Sequence, residues 1–96
     1  MAVMKAISHA LPGALATLLR DAPLSPGKVT FAWKAAVGSA IERATSVRLE
    51  GRELLVDAVS AQWAREVSRS SPVILARLRE LLGPDVVARI TVRRSA

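Results

Sequence analysis

The stretch Val47-Arg48-Leu49-Glu50-Gly51-Arg52-Glu53-Leu54-Leu55-Val56-Asp57-Ala58-Val59-Ser60 decides the fold. Val47 and Leu49 alternate with Arg48 and Glu50, the two-residue period of a strand with one face buried. Glu50-Gly51-Arg52 supplies a turn on the only glycine of the region. The alternation resumes with Leu54, Val56 and Ala58 against Leu55, Asp57 and Val59. Two alternating runs joined by so short a turn predict an antiparallel hairpin whose second strand has one apolar and one mixed face.

Toward the C-terminus, Ser60 is placed to cap a helix starting at Ala61. Trp63, Val67, Ile74, Leu78 and Leu81 keep a helical spacing up to Leu82, and Gly83-Pro84 is a stop signal. Pro72 lies inside this run and predicts a kink, or a restart with Ser71 as a new cap. A last strand is expected over Val87 to Arg93, with Ala88, Ile90 and Val92 on one face and Arg89, Thr91 and Arg93 on the other. Toward the N-terminus, Ser25-Pro26 reads as an N-cap followed by proline at the first helical position. Val29, Ala32, Trp33, Ala36 and Val37 form one stripe of a helix from 26 to about 43. Gly38 marks either a kink or a cap in it. Leu11, Leu15, Leu18 and Leu19 predict a further helix within 11–24. The resulting order is α-α-β-β-α-β, a two-layer α+β domain with helices on one face of a three-stranded mixed sheet. The third strand should return parallel to the second through a right-handed crossover. One domain spans 1–96, with its core over 25–94 and a frayed terminus at 95–96.

Composition removes several function classes. The 96 residues contain no cysteine and one histidine, which excludes disulfides, thiolate metal sites, a cysteine nucleophile and a multi-histidine metal site. No apolar run approaches the ~20 residues needed to cross a bilayer, and no signal peptide opens the chain, so no membrane partner and a cytoplasmic location are expected. Fourteen Lys and Arg against eight Asp and Glu leave a formal charge of +6. Eleven of the fourteen cations are arginine, which suits bidentate contact with phosphate. Such a balance favours a polyanionic partner, chiefly nucleic acid.

Catalytic constellations are missing. His9 stands near a terminus with no Ser or Asp at telling spacing. Asp57, Glu66, Glu80 and Asp85 form no acid–base pair. Glu66 with Arg69, and Glu80 with Arg77, read as ordinary helix-surface pairs. The five glycines are too scattered for a phosphate-cradling loop, and no GxxG clamp is present. No enzyme, metal or cofactor is therefore expected. Trp33 and Trp63 fall on core-facing stripes and are assigned to the structural core. Arg65 and Arg69 lie one turn apart beside the stripe of Trp63, and Arg89 and Arg93 share the outer face of the last strand with Arg48 of the first. Lys34 and Arg43 edge the helix from 26 to 43. Arg48, Arg65, Arg69, Arg89 and Arg93 are the candidate nucleic-acid-binding residues, for sequence-independent contact that weakens steeply with salt. Leu55 and Val59 on the open sheet face mark a candidate protein–protein surface, with a weak homodimer among the partners it would serve.

From Phe31 onward the chain resembles the DciA family, bacterial proteins that assist loading of the replicative DNA helicase. The matching residues are Phe31-x-Trp33-x3-Val37-Gly38-x2-Ile41, then Leu49-x-Gly51-x2-Leu54-x-Val56, then Ser60-x2-Trp63-Ala64-x-Glu66-Val67. Leu75-x-Arg77-Leu78-x3-Leu82-Gly83 and Val87-x2-Ile90-x-Val92-Arg93 complete the match. Two departures stand out: Thr45-Ser46-Val47 replaces a common proline-containing approach to the strand, and Val67 replaces a more usual leucine. The resemblance implies a KH-like domain without the GxxG clamp. It also implies two partners, the hexameric replicative helicase and single-stranded or branched DNA bound without sequence specificity, in a nucleoid-associated, cytoplasmic role. Many members carry a flexible extension beyond the folded domain, and this sequence, stopping at Ala96, is expected to lack one.

The function expected from sequence is thus a non-enzymatic DNA-replication adaptor that binds DNA through a basic Arg/Lys surface. The alternative is a protein–protein interaction module without direct nucleic-acid contact, its positive charge meeting an acidic partner. A third reading, an RNA-binding KH relative, is weakened by the absent GxxG.

Overall fold

The computed structural model describes residues 17–18 and 21–94. Among these, the order is α1 (Pro26–Arg43), β1 (Thr45–Glu50), β2 (Glu53–Ala58), α2 (Ala61–Leu82) and β3 (Arg89–Arg94). Among the described residues the architecture is α+β, with these two helices, a three-stranded mixed sheet, and helical conformation also at Thr17, Leu18 and Asp21. The described residues run α-β-β-α-β, one helix short of the expected α-α-β-β-α-β. The additional helix expected within 11–24 falls largely on residues outside the described ones, as do Leu11, Leu15, Leu19 and His9. The expected frayed end, Ser95 and Ala96, also lies outside them. Within that span Ala22 N–H donates to the Leu18 carbonyl at 3.1 Å, and Ala22 to Leu24 then lead into α1.

Capping chemistry sets where the helices start. The Ser25 side chain accepts from Lys28 N–H at 3.1 Å with Pro26 following, and the Ser60 side chain accepts from Trp63 N–H at 3.2 Å. Gly38 breaks α1: its φ of 84° and ψ of 174° leave the helical region, a conformation open essentially to glycine alone. The break frees carbonyls of the preceding turn. The Arg77 guanidinium, reaching across from α2, donates to the Ala36 carbonyl at 2.8 Å. The helix-surface pair expected between Glu80 and Arg77 is accordingly not formed.

Pro72 does not restart α2, which runs as one helix from Ala61 to Leu82. Proline at 72 removes the N–H that would bond the Ser68 carbonyl. The Ser71 hydroxyl donates to that carbonyl instead, at 2.9 Å, so the missing donor is replaced one residue earlier.

Strand order is β1-β2-β3. β1 and β2 pair antiparallel around a turn in which Gly51 holds a φ of 60°, and β2 and β3 pair parallel after the α2 crossover. The last strand begins two residues later than expected and extends to Arg94. Val87 is instead a buried plug below the strand, and Ala88 is exposed rather than aligned with Ile90 and Val92. Ala88 and Arg89 N–H both turn to the Arg52 carbonyl at 2.7 and 3.4 Å, which fixes where strand pairing begins.

Both helices cover one face of the sheet, α1 over β1 and α2 over β2 and β3. Leu54, Val56 and Ala58 point into this layer and are fully buried. Leu54 and Val56 join one cluster with Val29, Ala32, Trp33 and Ala36 of α1 and Val67, Ile74, Leu78, Leu81 and Leu82 of α2. Trp33 is 1% exposed, and its indole N–H donates to the Thr45 hydroxyl at 2.9 Å; that hydroxyl donates to the Ile41 carbonyl at 2.7 Å. One side chain thus locks the end of α1 to the start of β1. Trp63 differs from this: it is half-buried and outside the buried cluster. It occupies the first turn of α2, where the helix has just left the end of β2 and the core thins.

Candidate nucleic-acid interface

The five arginines singled out by sequence divide between two layers of the molecule. Arg48, Arg89 and Arg93 stand on the open face of the sheet, the one the helices leave uncovered. Arg65 and Arg69 stand on the exposed side of α2, on the opposite side of the molecule.

On the sheet face, register decides the electrostatics. Glu53 is beside Arg89, Leu55 beside Thr91 and Asp57 beside Arg93 across the parallel pair, and Arg48 is opposite Leu55 across the antiparallel one. Arg89 Nε lies 3.4 Å from Glu53, and the Thr91 hydroxyl donates to the same carboxylate. Arg93 holds Asp57 in a two-pronged contact at 3.1 and 3.4 Å. Arg48 pairs with Glu50 of its own strand at 2.8 Å. Three cations therefore meet three carboxylates, and the face is locally neutral. Leu55 is half-buried among these pairs, while Val59, just past the end of β2, is 63% exposed.

On α2 the balance differs. Arg69 approaches Glu66 only to 3.8 Å, and Arg65 has no ion pair among the described residues. At ~1.5 Å rise per residue the two guanidiniums start about 6 Å apart along the helix. Both are exposed and point away from the sheet. At the other end of α2, Arg52 of the hairpin turn donates to the Asp85 carbonyl at 2.9 Å and lies 3.9 Å from its carboxylate. That contact ties the turn to the loop before β3.

Among the described residues, five of the eight carboxylates are thus engaged, by Arg48, Arg52, Arg69, Arg89 and Arg93. The exposed cations outside these pairs, again among the described residues, are Lys34, Arg43, Arg65, Arg77, Arg79 and Arg94, of which Arg77 is spent on the Ala36 carbonyl. Sequence reasoning passed over Arg94 by placing it next to a frayed end, whereas it is the last residue of β3. Its alternation with Ile90 and Val92, on the helix side of the strand, was the signal that could have found it.

A groove of about 320 Å³ opens between the start of α1 and the free edge of β1, lined by Leu24, Pro26, Val29, Val47, Arg48 and Leu49 among others. No group of three or more His, Asp or Glu able to hold a metal ion occurs among the described residues, and no helix there is long and apolar enough to cross a membrane.

The model of the protein family described as "Dna[CI] antecedent, DciA" matches residues 6–92 of the chain. No curated protein and no solved structure matches it.

Proposed function

The chain belongs to the DciA family, and from that premise we propose that it is a non-enzymatic adaptor in DNA replication whose KH-like domain binds DNA while it assists loading of the replicative helicase. Its DNA contacts are ionic and sequence-independent, made by arginines that approach phosphate from the helix side. One observation supports that side over the other: the three sheet-face arginines are each occupied by a carboxylate, while Arg65 carries its charge free. A phosphate approaching Arg89 or Arg93 has first to displace Glu53 or Asp57. Arg65 is therefore the leading contact, supported by Arg69 one turn away, which Glu66 approaches only to 3.8 Å, and Arg48, Arg89 and Arg93 are the secondary ones. The neutral sheet face costs less to bury against a protein than a bare cationic one, which makes it the face for the helicase.

Binding of a single-stranded oligonucleotide, followed from about 50 to about 300 mM salt, tests the reading. Log affinity should fall linearly with log salt, with a slope of about 0.7 per phosphate contacted. Arg65→Ala with Arg69→Ala should flatten that slope more than Arg89→Ala with Arg93→Ala. Capture of the helicase should survive both. Affinity that does not change with salt would overturn the ionic character of the contacts, and capture of the helicase by a domain that leaves DNA unshifted would favour the interaction module without nucleic-acid contact.

A further inference from the structure

We infer that a single-stranded polynucleotide is gripped at one end of the molecule, where α2 begins, by Arg43, Arg65 and Arg94; the inference rests on the DNA-binding reading above and locates its site. The topology brings these three residues together from distant parts of the sequence. Arg43 is the last residue of α1, and Ala44, next to it, accepts a hydrogen bond from Val59 N–H at 2.9 Å. Thr45 pairs with Ala58, and Ala58 pairs with Arg94. With neighbouring strands about 4.8 Å apart, the backbones of Thr45 and Arg94 flank Ala58 roughly 10 Å from each other. Two residues after Ala58, Ser60 caps α2, and Arg65 follows about 7 Å along the helix axis. Arg43, Arg65 and Arg94 therefore surround the point where β2 hands over to α2, and all three are exposed.

The charges at this end are also the uncompensated ones. None of the three makes an ion pair among the described residues. Of the nearby carboxylates, Asp57 and Glu66 are engaged by Arg93 and Arg69, and Glu42, beside Arg43, makes no ion pair among the described residues, so one negative charge stands against the three cations and the end keeps a cationic excess. At the far end of the sheet the situation reverses: Glu50, Glu53 and Asp85 gather around the hairpin turn and engage Arg48, Arg89 and Arg52. The molecule is thus polarised along its strands, self-neutralised at the hairpin end and cationic at the α2-start end. Val59, exposed in the middle of the cationic end, offers an apolar surface against which an unpaired base can rest. The geometry fits a flexible, phosphate-bearing strand and requires no base-specific contact.

The test compares two double variants that remove equal charge. Arg43→Ala with Arg94→Ala takes two cations from the proposed grip, and Lys34→Ala with Arg79→Ala takes two exposed cations from elsewhere. Binding of fluorescein-labelled oligo(dT) is measured across a salt series, with circular dichroism and thermal melting as controls on folding. The first pair should lower the salt slope by about 1.4, two contacts at ~0.7 each, and weaken binding at about 50 mM salt at least tenfold. The second pair should leave the slope unchanged and the affinity within about threefold. Equal losses in both pairs, or none in the first, would overturn the inference while leaving DNA binding standing. A wild-type chain that fails to bind oligo(dT) would overturn the DNA-binding reading and this site together.

Discussion

Along β2, Leu54, Val56 and Ala58 point into the helix layer and are fully buried, whereas Glu53, Leu55 and Asp57, one residue out of step, look outward and are half-buried. The two faces of one strand hold the domain together by different means. The inner face acts through apolar area removed from water and close packing against Trp33, Val67 and Leu78. The outer face acts through cross-strand ion pairs that contribute little stability each, because the arginines stay exposed and water reaches the half-buried carboxylates. What the outer pairs do instead is use up charge. The difference teaches that the basic excess of the chain is a poor guide to where a polyanion binds until the local pairs have been subtracted.

The sharpest way to break the comparison is to truncate neighbours on opposite faces. Leu54→Ala should cost about 2–5 kcal/mol, the transfer term plus a cavity that packed helices cannot collapse. Leu55→Ala, next to it, should cost roughly 1 kcal/mol or less, because water can fill the space left on the open face. Chemical denaturation of the two variants measures both values. Equal losses would mean that the open face is covered in solution, as a homodimer through that face would require.

A smaller effect probes the helix layer through its backbone. A side chain at Gly38 would meet no atom within 4 Å, so crowding cannot be the objection to it. The positive φ remains, and Gly38→Ala should cost about 1–3 kcal/mol as pure conformational strain. A thermal melt reads the loss. A neutral or stabilising outcome would show that α1 straightens through position 38 and that Arg77 can release the Ala36 carbonyl.

Much of this fold was legible in the chain because its signals are local. The alternation from Val47 to Ala58 gave the hairpin, and the serines at 25 and 60 gave both helix starts. The helix does not restart at Pro72, and Ser71 acts there as a donor to the orphaned Ser68 carbonyl rather than as a new cap. The start of β3 was misplaced because Val87 is apolar for a different reason, as a plug under the sheet rather than a strand residue. Trp63 shares the helical stripe of Val67, yet periodicity cannot distinguish the middle of a helix from its first turn, where the core ends. The site was less legible than the fold. Which arginines are neutralised depends on partners such as Asp57 and Arg93, 36 residues apart in sequence and adjacent only through parallel register. Arg43 and Arg94 owe their proximity to the same pairings, so no spacing in the chain could reveal it.

The smallest effect on stability carries the largest information about charge. Glu53→Gln with Asp57→Asn keeps side-chain size and hydrogen-bonding capacity while removing the two carboxylates that engage Arg89 and Arg93. Because the arginines of these pairs are exposed and the amides keep the hydrogen-bonding capacity of the half-buried carboxylates, folding stability should change by about 1 kcal/mol or less. Two guanidiniums would then stand free on the sheet face, and the net charge would rise by two. If the pairing is what keeps this face away from phosphate, the variant should bind single-stranded DNA more tightly than the parent. The salt slope should steepen by up to about 1.4, two further contacts at ~0.7 each. Adding Arg89→Ala and Arg93→Ala to the variant should abolish the gain. A slope that stays at the parental value while affinity rises slightly would assign the gain to long-range attraction alone, with the strand still held at the other surface. A steepened slope that the added arginine substitutions leave in place would show that the new contacts come from elsewhere, and the contrast between the two faces of β2 would no longer explain where DNA binds.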